Sequence, residues 1–148
     1  MTQDFPQLQL MQQLGRTYRT LLSAFDDCTG QPLPRWRILL ELYRLGEMSQ
    51  KALAEQLPMD PAALTRQLKA IEKLGWVQRH NDAADNRLTN VALTATGRQL
   101  VKKTLPRRTA FVQQAFEDLD EADMMAMGRI LGALEAQLRR QTKAAEKA

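Results

Sequence analysis

SQKALAEQLPMDPAALTRQLKAIEKLGWVQRHNDAADNRLTNVAL, residues 49–93, holds the pattern that decides the fold. Ser49 is a helix-capping residue type, and Leu53, Ala54 and Leu57 follow at the spacing of a short helix with one inward face. Pro58 ends that helix. Asp60-Pro61 opens the next, an N-cap acid followed by proline at the first helical position, where a missing N–H does no harm. Leu64, Leu68, Ile71 and Leu74 form its buried stripe, and Gly75 stops it. A three-residue connection between residues 49–57 and 61–74 is the spacing of a helix-turn-helix. After Gly75 the period changes. Residues 76–79 (WVQR) read as a short strand and residues 87–93 (RLTNVAL) alternate towards another. The polar, turn-rich HNDAADN of residues 80–86 joins them into a β-hairpin, or wing.

Working outward, Leu8, Met11, Leu14, Tyr18, Leu21, Leu22 and Phe25 make one apolar stripe on a first helix, which TGQPLP (residues 29–34) breaks. A second helix covers about 35–45 and stops at Gly46. Beyond the hairpin, Thr94 caps a long helix to about residue 119, and Asp120 caps another to about residue 142. The last six residues, KAAEKA, are expected to fray. The terminal helices carry Val101, Leu105, Val112, Phe116 and Leu119, then Met124, Met127, Ile130, Leu131, Leu134 and Leu138. Long helices this apolar call for a partner surface. The alternative is that they fold back on the core of one chain. The expected fold is therefore mainly α with a small β-hairpin wing. A winged helix-turn-helix over residues 35–93 is flanked by dimerisation helices at 8–28 and 95–142.

Composition excludes several classes. The 148 residues are 44% hydrophobic and 26% charged, ordinary for a soluble globular protein. No apolar run approaches the ~20 residues of a membrane span, and MTQDFPQLQL lacks the pattern of a signal peptide. A cytoplasmic location and no membrane partner are expected. One cysteine and one histidine leave no metal cluster and no intrachain disulfide, and no cofactor motif is present. Without a Gly-rich phosphate loop, a nucleophile motif or a carboxylate–histidine cluster, an enzyme finds no support. The net charge of +4 is a mild bias towards polyanions. Five cations and no acid lie between Arg98 and Arg108, and five acids and no base between Glu117 and Asp123. The plain reading is a solvated helix face and an acidic helix start.

A helix-turn-helix followed by a hairpin suits a DNA duplex, the second helix entering the major groove and the hairpin reaching a minor groove. Pro61, Ala62, Thr65, Arg66, Lys69 and Lys73 face outward on that second helix. Ala62 permits close approach, and Arg66 suits guanine O6 and N7. Thr65 suits a phosphate or a thymine methyl, and Lys69 and Lys73 suit phosphates. On the wing, Asp85 precedes Asn86 and Arg87, so the acid can hold the guanidinium fork in one orientation for a narrow minor groove. Ser49, Gln50, Arg79 and His80 are candidates for the DNA backbone. For His80, plain exposure is the other reading. A winged module that binds protein instead of DNA is the competing class, separable by the salt dependence of duplex binding.

The run from Leu33 to Gly97 closely resembles the MarR family of bacterial transcription regulators. LAEQL, LTRQLKAIEKLGWVQR and the Asp85–Arg87 pair followed by VALTATG are its most telling pieces. The resemblance implies a homodimer whose first and last two helices intertwine and place two winged units on a pseudo-palindrome, usually as a repressor. It makes Arg66 and Arg87 the main DNA contacts. Asn86 departs from the second basic residue common there, and Ala63 from a serine or threonine. The resemblance further implies release from DNA by a small aromatic carboxylate or phenol. Arg16, Tyr18 and Arg19 in RTYR and the aromatic Trp36 resemble pocket positions. The competing reading makes Tyr18 and Trp36 core packing and pairs Arg16 with an acid. Cys28 sits beside Asp26 and Asp27, whose charge disfavours a thiolate, so a redox sensor is not expected. Met124, Met125 and Met127 read as packing.

Overall fold

The computed structural model describes residues 5–57 and 59–147. In chain order the elements are α1 (Pro6–Thr29), α2 (Leu33–Leu45), β1 (Met48–Ser49), α3 (Gln50–Gln56) and α4 (Pro61–Lys73). They continue with β2 (Val77–Asn81), β3 (Thr89–Leu93), α5 (Ala95–Ala115) and α6 (Glu121–Ala145). Two compact units result, Met1–Phe111 and Val112–Ala148. No helix among the described residues is long and apolar enough to cross a membrane.

The helix-turn-helix forms where the capping chemistry places it. Ser49 Oγ accepts from the Ala52 N–H at 3.1 Å and starts α3. Asp60 Oδ2 accepts from the Ala63 N–H at 3.0 Å and starts α4, with Pro61 at its first position. Each cap satisfies an orphan donor and is worth about 1 kcal/mol. Leu53 of α3 and Leu64, Leu68 and Ile71 of α4 are buried against Ile38, Leu39 and Leu42 of α2, with Val77, Val91 and Val101 closing the core. Phe25 of α1 joins the same core and meets the edge of Phe111 at 5.5 Å.

The wing is part of a three-stranded antiparallel sheet in the order β1-β3-β2. β3 lies in the middle, pairing Val77 with Leu93 through to Asn81 with Thr89 on one side, and Met48 with Val91 on the other. Ser49 therefore pairs with Asn90 while its side chain caps α3, which ties the helix-turn-helix to the wing. Gly75 supplies the left-handed turn (φ 78°) that carries the chain from α4 into β2. The Thr94 N–H then donates to the Trp76 carbonyl at 3.0 Å, and the Thr94 hydroxyl to that of Gly75. Thr94 Oγ1 also accepts from the Gly97 N–H, so one residue starts α5 and anchors it to the turn.

Several boundaries differ from the sequence expectation. α2 begins at Leu33, not near residue 35, because proline in a first turn removes a donor that has no partner anyway. The connection between α3 and α4 is four residues, 57–60; Pro58, the expected stop, lies outside the described residues. Leu74, expected in the buried stripe, is 48% exposed. Leu74 is the helical C-cap of α4 and, three residues beyond Ile71, falls at the edge of the buried stripe, while Trp76, past the Gly75 turn, packs on the core. β2 runs on to Asn81 and β3 starts only at Thr89, which puts Arg87 in the wing tip, not in a strand. β1 was not expected at all. α5 ends at Ala115, short of residue 119, and continues through Pro106. Lys143 to Ala145 remain helical where fraying was expected.

The apolar faces of the terminal helices divide in two. Val101 is fully buried and Leu105 half-buried in the core of their own chain, a correction to their place in a partner-seeking stripe. Leu8, Met11, Leu14, Tyr18 and Leu21 of α1 are exposed, and α6 has no buried residue at all. The acidic run before α6 is a helix start. Asp120 and Asp123 form a reciprocal capping box.

Gly97 is a tight point of this arrangement, since a Cβ there would run into the Trp76 carbonyl and displace the α5–wing junction. Gly97→Ala is expected to destabilise the protein by about 1–3 kcal/mol, the usual range for overpacking, read as a lower urea midpoint with unchanged slope.

Candidate nucleic-acid interface

Burial of Leu64, Leu68 and Ile71 turns the opposite face of α4 to solvent. Pro61, Ala62, Arg66, Lys69 and Lys73 are exposed on it and Thr65 is half-buried. Residues 62, 66, 69 and 73 recur at helical spacing, so they form one row. Arg66, Lys69 and Lys73 enter no ion pair among the described residues, which leaves three cations available to an anionic partner.

The wing tip is built by two aspartates. Asp82 accepts from the backbone N–H groups of Ala84 and Asp85, each at 2.9 Å, and from Asn90 Nδ2 at 2.8 Å. The Asn90 contact, followed by those two backbone bonds, holds its carboxyl below the usual aspartate range. Asp85 grips Arg87 in a two-pronged pair, Nε on Oδ1 at 3.0 Å and Nη2 on Oδ2 at 3.1 Å. The same pair lowers the Asp85 carboxyl and raises the Arg87 guanidinium. The Arg87 side chain is 89% exposed, so the pair adds little stability and its consequence is orientation. Asn86 is exposed beside it.

All four residues expected to meet the DNA backbone have partners inside the chain. Ser49 caps α3. His80 Nε2 lies 2.7 Å from Glu47 Oε1. Arg79 sends Nε and Nη2 to the two oxygens of Glu72 at 3.3 and 3.0 Å, and its backbone N–H to Glu72 Oε2 at 3.0 Å. Its remaining Nη1 donates to Gln50 Oε1, and Gln50 Nε2 donates to Thr65 Oγ1, both at 3.4 Å. The side-chain bond from Arg79 is the largest cause holding the Glu72 carboxyl below its ordinary value. A carboxyl lowered by folding stabilises the fold above its unfolded value of about 4.3, and that contribution is lost as pH falls through the lowered folded-state value.

Sequence reasoning missed Glu72, Glu47, Asp82 and Asn90. The Glu72–Arg79 pair spans a helix end and a strand start, which no single-element periodicity exposes. Asp82 read only as a generic turn residue. The proposed pocket residues separate. Arg16, Tyr18 and Arg19 are exposed on α1, whereas Trp36 is 2% exposed in the core. An open cleft of about 510 Å³ lies elsewhere, between α3 and α4, with Gln50, Ala54, Met59, Leu64 and Thr65 on its walls. Cys28 is an exposed free thiol.

Residues 32–89 match the sequence model of the MarR family. Over 126 residues the chain is 29% identical to YdgJ of Bacillus subtilis, an uncharacterized HTH-type transcriptional regulator, covering 85% of this chain and 77% of that one. The chain spans 44% to 77% of the length of curated relatives it matches. A MarR mutant from E. coli complexed with operator DNA shares the fold with a TM-score of 0.79 at 18% identity, over 86% of this chain and 94% of that one. BpsR of Bordetella bronchiseptica, whose DNA binding is regulated by 6-hydroxynicotinic acid, shares it with a TM-score of 0.74 at 22% identity, over 86% and 98%. The matched segment contains α2, the helix-turn-helix and the wing up to the start of β3. Residues 32–89 thus match the MarR family in sequence, and the chain shares the fold of solved MarR regulators.

Proposed function

We propose that this chain binds double-stranded DNA as a homodimer and acts as a repressor on a pseudo-palindromic operator. One observation carries the DNA reading. Arg66, Lys69 and Lys73 in the exposed row that Ala62 begins have no ion partner among the described residues, while the wing on the same core presents a forked Arg87. Arg66 reads guanine in the major groove, Lys69 and Lys73 neutralise phosphates, and Arg87 enters the minor groove. Pro61 and Ala62 allow the start of α4 to approach the groove floor. Asp85 aims Arg87, and Asn86 beside it offers an amide where a second cation would strengthen the contact.

The homodimer rests on the apolar surface left by one chain. α1 exposes Leu8, Met11, Leu14, Tyr18 and Leu21, and α6 exposes Met124, Met125, Ile130, Leu131, Leu134 and Leu138. Apolar stripes of this length are covered in a stable protein, and a second copy supplies matching stripes. The effector is a small aromatic carboxylate or phenol. Arg16 pairs with its acidic group, and Tyr18 and Arg19, exposed on the same helix, flank it. BpsR, regulated by a hydroxylated aromatic acid, supports that chemical class.

Arg66→Ala and Arg87→Ala are each expected to weaken specific binding by about 1–3 kcal/mol without lowering the melting temperature, whereas Lys69→Ala reduces the salt slope by about one with little change in sequence preference. Equal losses on specific and random duplexes for Arg66→Ala would contradict its role. Ile130→Glu with Leu134→Glu is expected to give a monomer in sedimentation analysis that has lost most operator affinity; an unchanged dimer would exclude the α6 face. Arg16→Ala is expected to abolish release from DNA by an added hydroxybenzoate, and retained release at unchanged effector affinity would remove Arg16 from the pocket.

A further inference from the structure

Four residues link the wing to the recognition helix through hydrogen bonds whose direction is fixed at every step. A carboxylate only accepts and a guanidinium only donates. Glu72 takes three bonds from Arg79, and the remaining Arg79 Nη1 donates to Gln50. That bond fixes the Gln50 amide, since only its oxygen can face an arginine, so its NH2 group faces Thr65. The Thr65 hydroxyl therefore accepts from Gln50. Its single proton is donated to the Pro61 carbonyl at 2.9 Å, one turn back on α4. A hydroxyl has one proton and two lone pairs, so one lone pair is all that remains.

Thr65 lies next to Arg66 on α4, half-buried, with the cleft between α3 and α4 opening beside it. Phosphate oxygens, guanine O6 and N7 and thymine O4 are all acceptors, so none can bond a hydroxyl that offers only a lone pair. The major-groove donors are adenine N6 and cytosine N4. Resting on the DNA-binding reading above, we propose that Thr65 reads the major groove as an acceptor only, selecting an exocyclic amino group. Gln50, Arg79 and Glu72 are the positioning residues that set this polarity. The phosphate contact expected of Thr65, and that expected of Arg79, are thereby replaced by base selection and by a clasp.

The test starts from a duplex selected out of a random library by the purified wild-type protein. Binding is measured after each exocyclic amino group is deleted in turn, with purine for adenine and 2-pyrimidinone for cytosine, and after each thymine is replaced by uracil. One amino deletion per half-site is expected to weaken the wild type roughly two- to twelvefold, the size of one net hydrogen bond, and the deleted base identifies adenine or cytosine. Thr65→Val is expected to be indifferent to that deletion with an unchanged salt slope. Thr65→Ser restores the sensitivity, which a merely structural role for the side chain would not predict. Gln50→Leu frees the hydroxyl to rotate and reduces the discrimination between amino and keto bases at the same position. The proposal is overturned if Thr65→Val lowers the salt slope, if it removes sensitivity to uracil alone, or if it changes nothing. Full discrimination in Gln50→Leu overturns the positioning role. Selection of no duplex by the wild type defeats the DNA-binding reading, and this proposal with it.

Discussion

Leu64, Leu68 and Ile71 sit at the bottom of the core with at most 1% exposure, and their removal from water sets the rotation of α4 about its own axis. Each such side chain contributes about 1.5–3 kcal/mol when fully buried, far more than any polar contact on the outer face. The cations of residues 66, 69 and 73 are therefore presented by default, as the complement of the buried stripe. The sheet is held to the same core through Val77 and Val91, so the wing has a fixed base. The basic row and the wing share one foundation.

Above that apolar layer the basic side chains fall into two kinds. Arg79 and His80 are matched to Glu72 and Glu47 inside the chain. Arg66, Lys69 and Lys73 are not matched among the described residues. Arg87 is intermediate, gripped by Asp85 yet almost wholly solvated. The division separates side chains that organise the binding surface from those that make it attractive to a polyanion. Net charge alone does not reveal it, since Arg66, Lys69, Lys73, Arg79 and Arg87 each add equally to the +4 of the whole chain, in which histidine is counted as neutral.

Much of this was legible from residue type and spacing. The caps Ser49 and Asp60, the stripe from Leu64 to Ile71 and the break at Gly75 are local signals, and the elements follow them. Leu74 stays exposed because, as the C-cap three residues beyond Ile71, it lies at the edge of the buried stripe, where residue type alone does not tell inside from outside. β1 escaped notice because two residues have no periodicity, and it exists only by pairing with β3. Of the interface, the outward row of α4 was readable from its inward partner. The Glu72–Arg79–Gln50–Thr65 chain was not, because it joins three elements and depends on contacts that folding alone creates. Trp36 shows the same limit from the other side, an aromatic assigned to a pocket that lies in the core of its own chain.

The proposed arrangement, two winged units carried by one dimer on one duplex, draws on the exposed apolar faces of α1 and α6 and on the basic row of α4, unpaired among the described residues. Footprinting the purified protein on its selected duplex at two salt concentrations tests that arrangement most directly. The predicted result is protection of a pseudo-palindrome whose half-site centres lie about one helical turn apart, with affinity falling steeply as salt rises. Diffuse protection, or binding indifferent to salt, would contradict it.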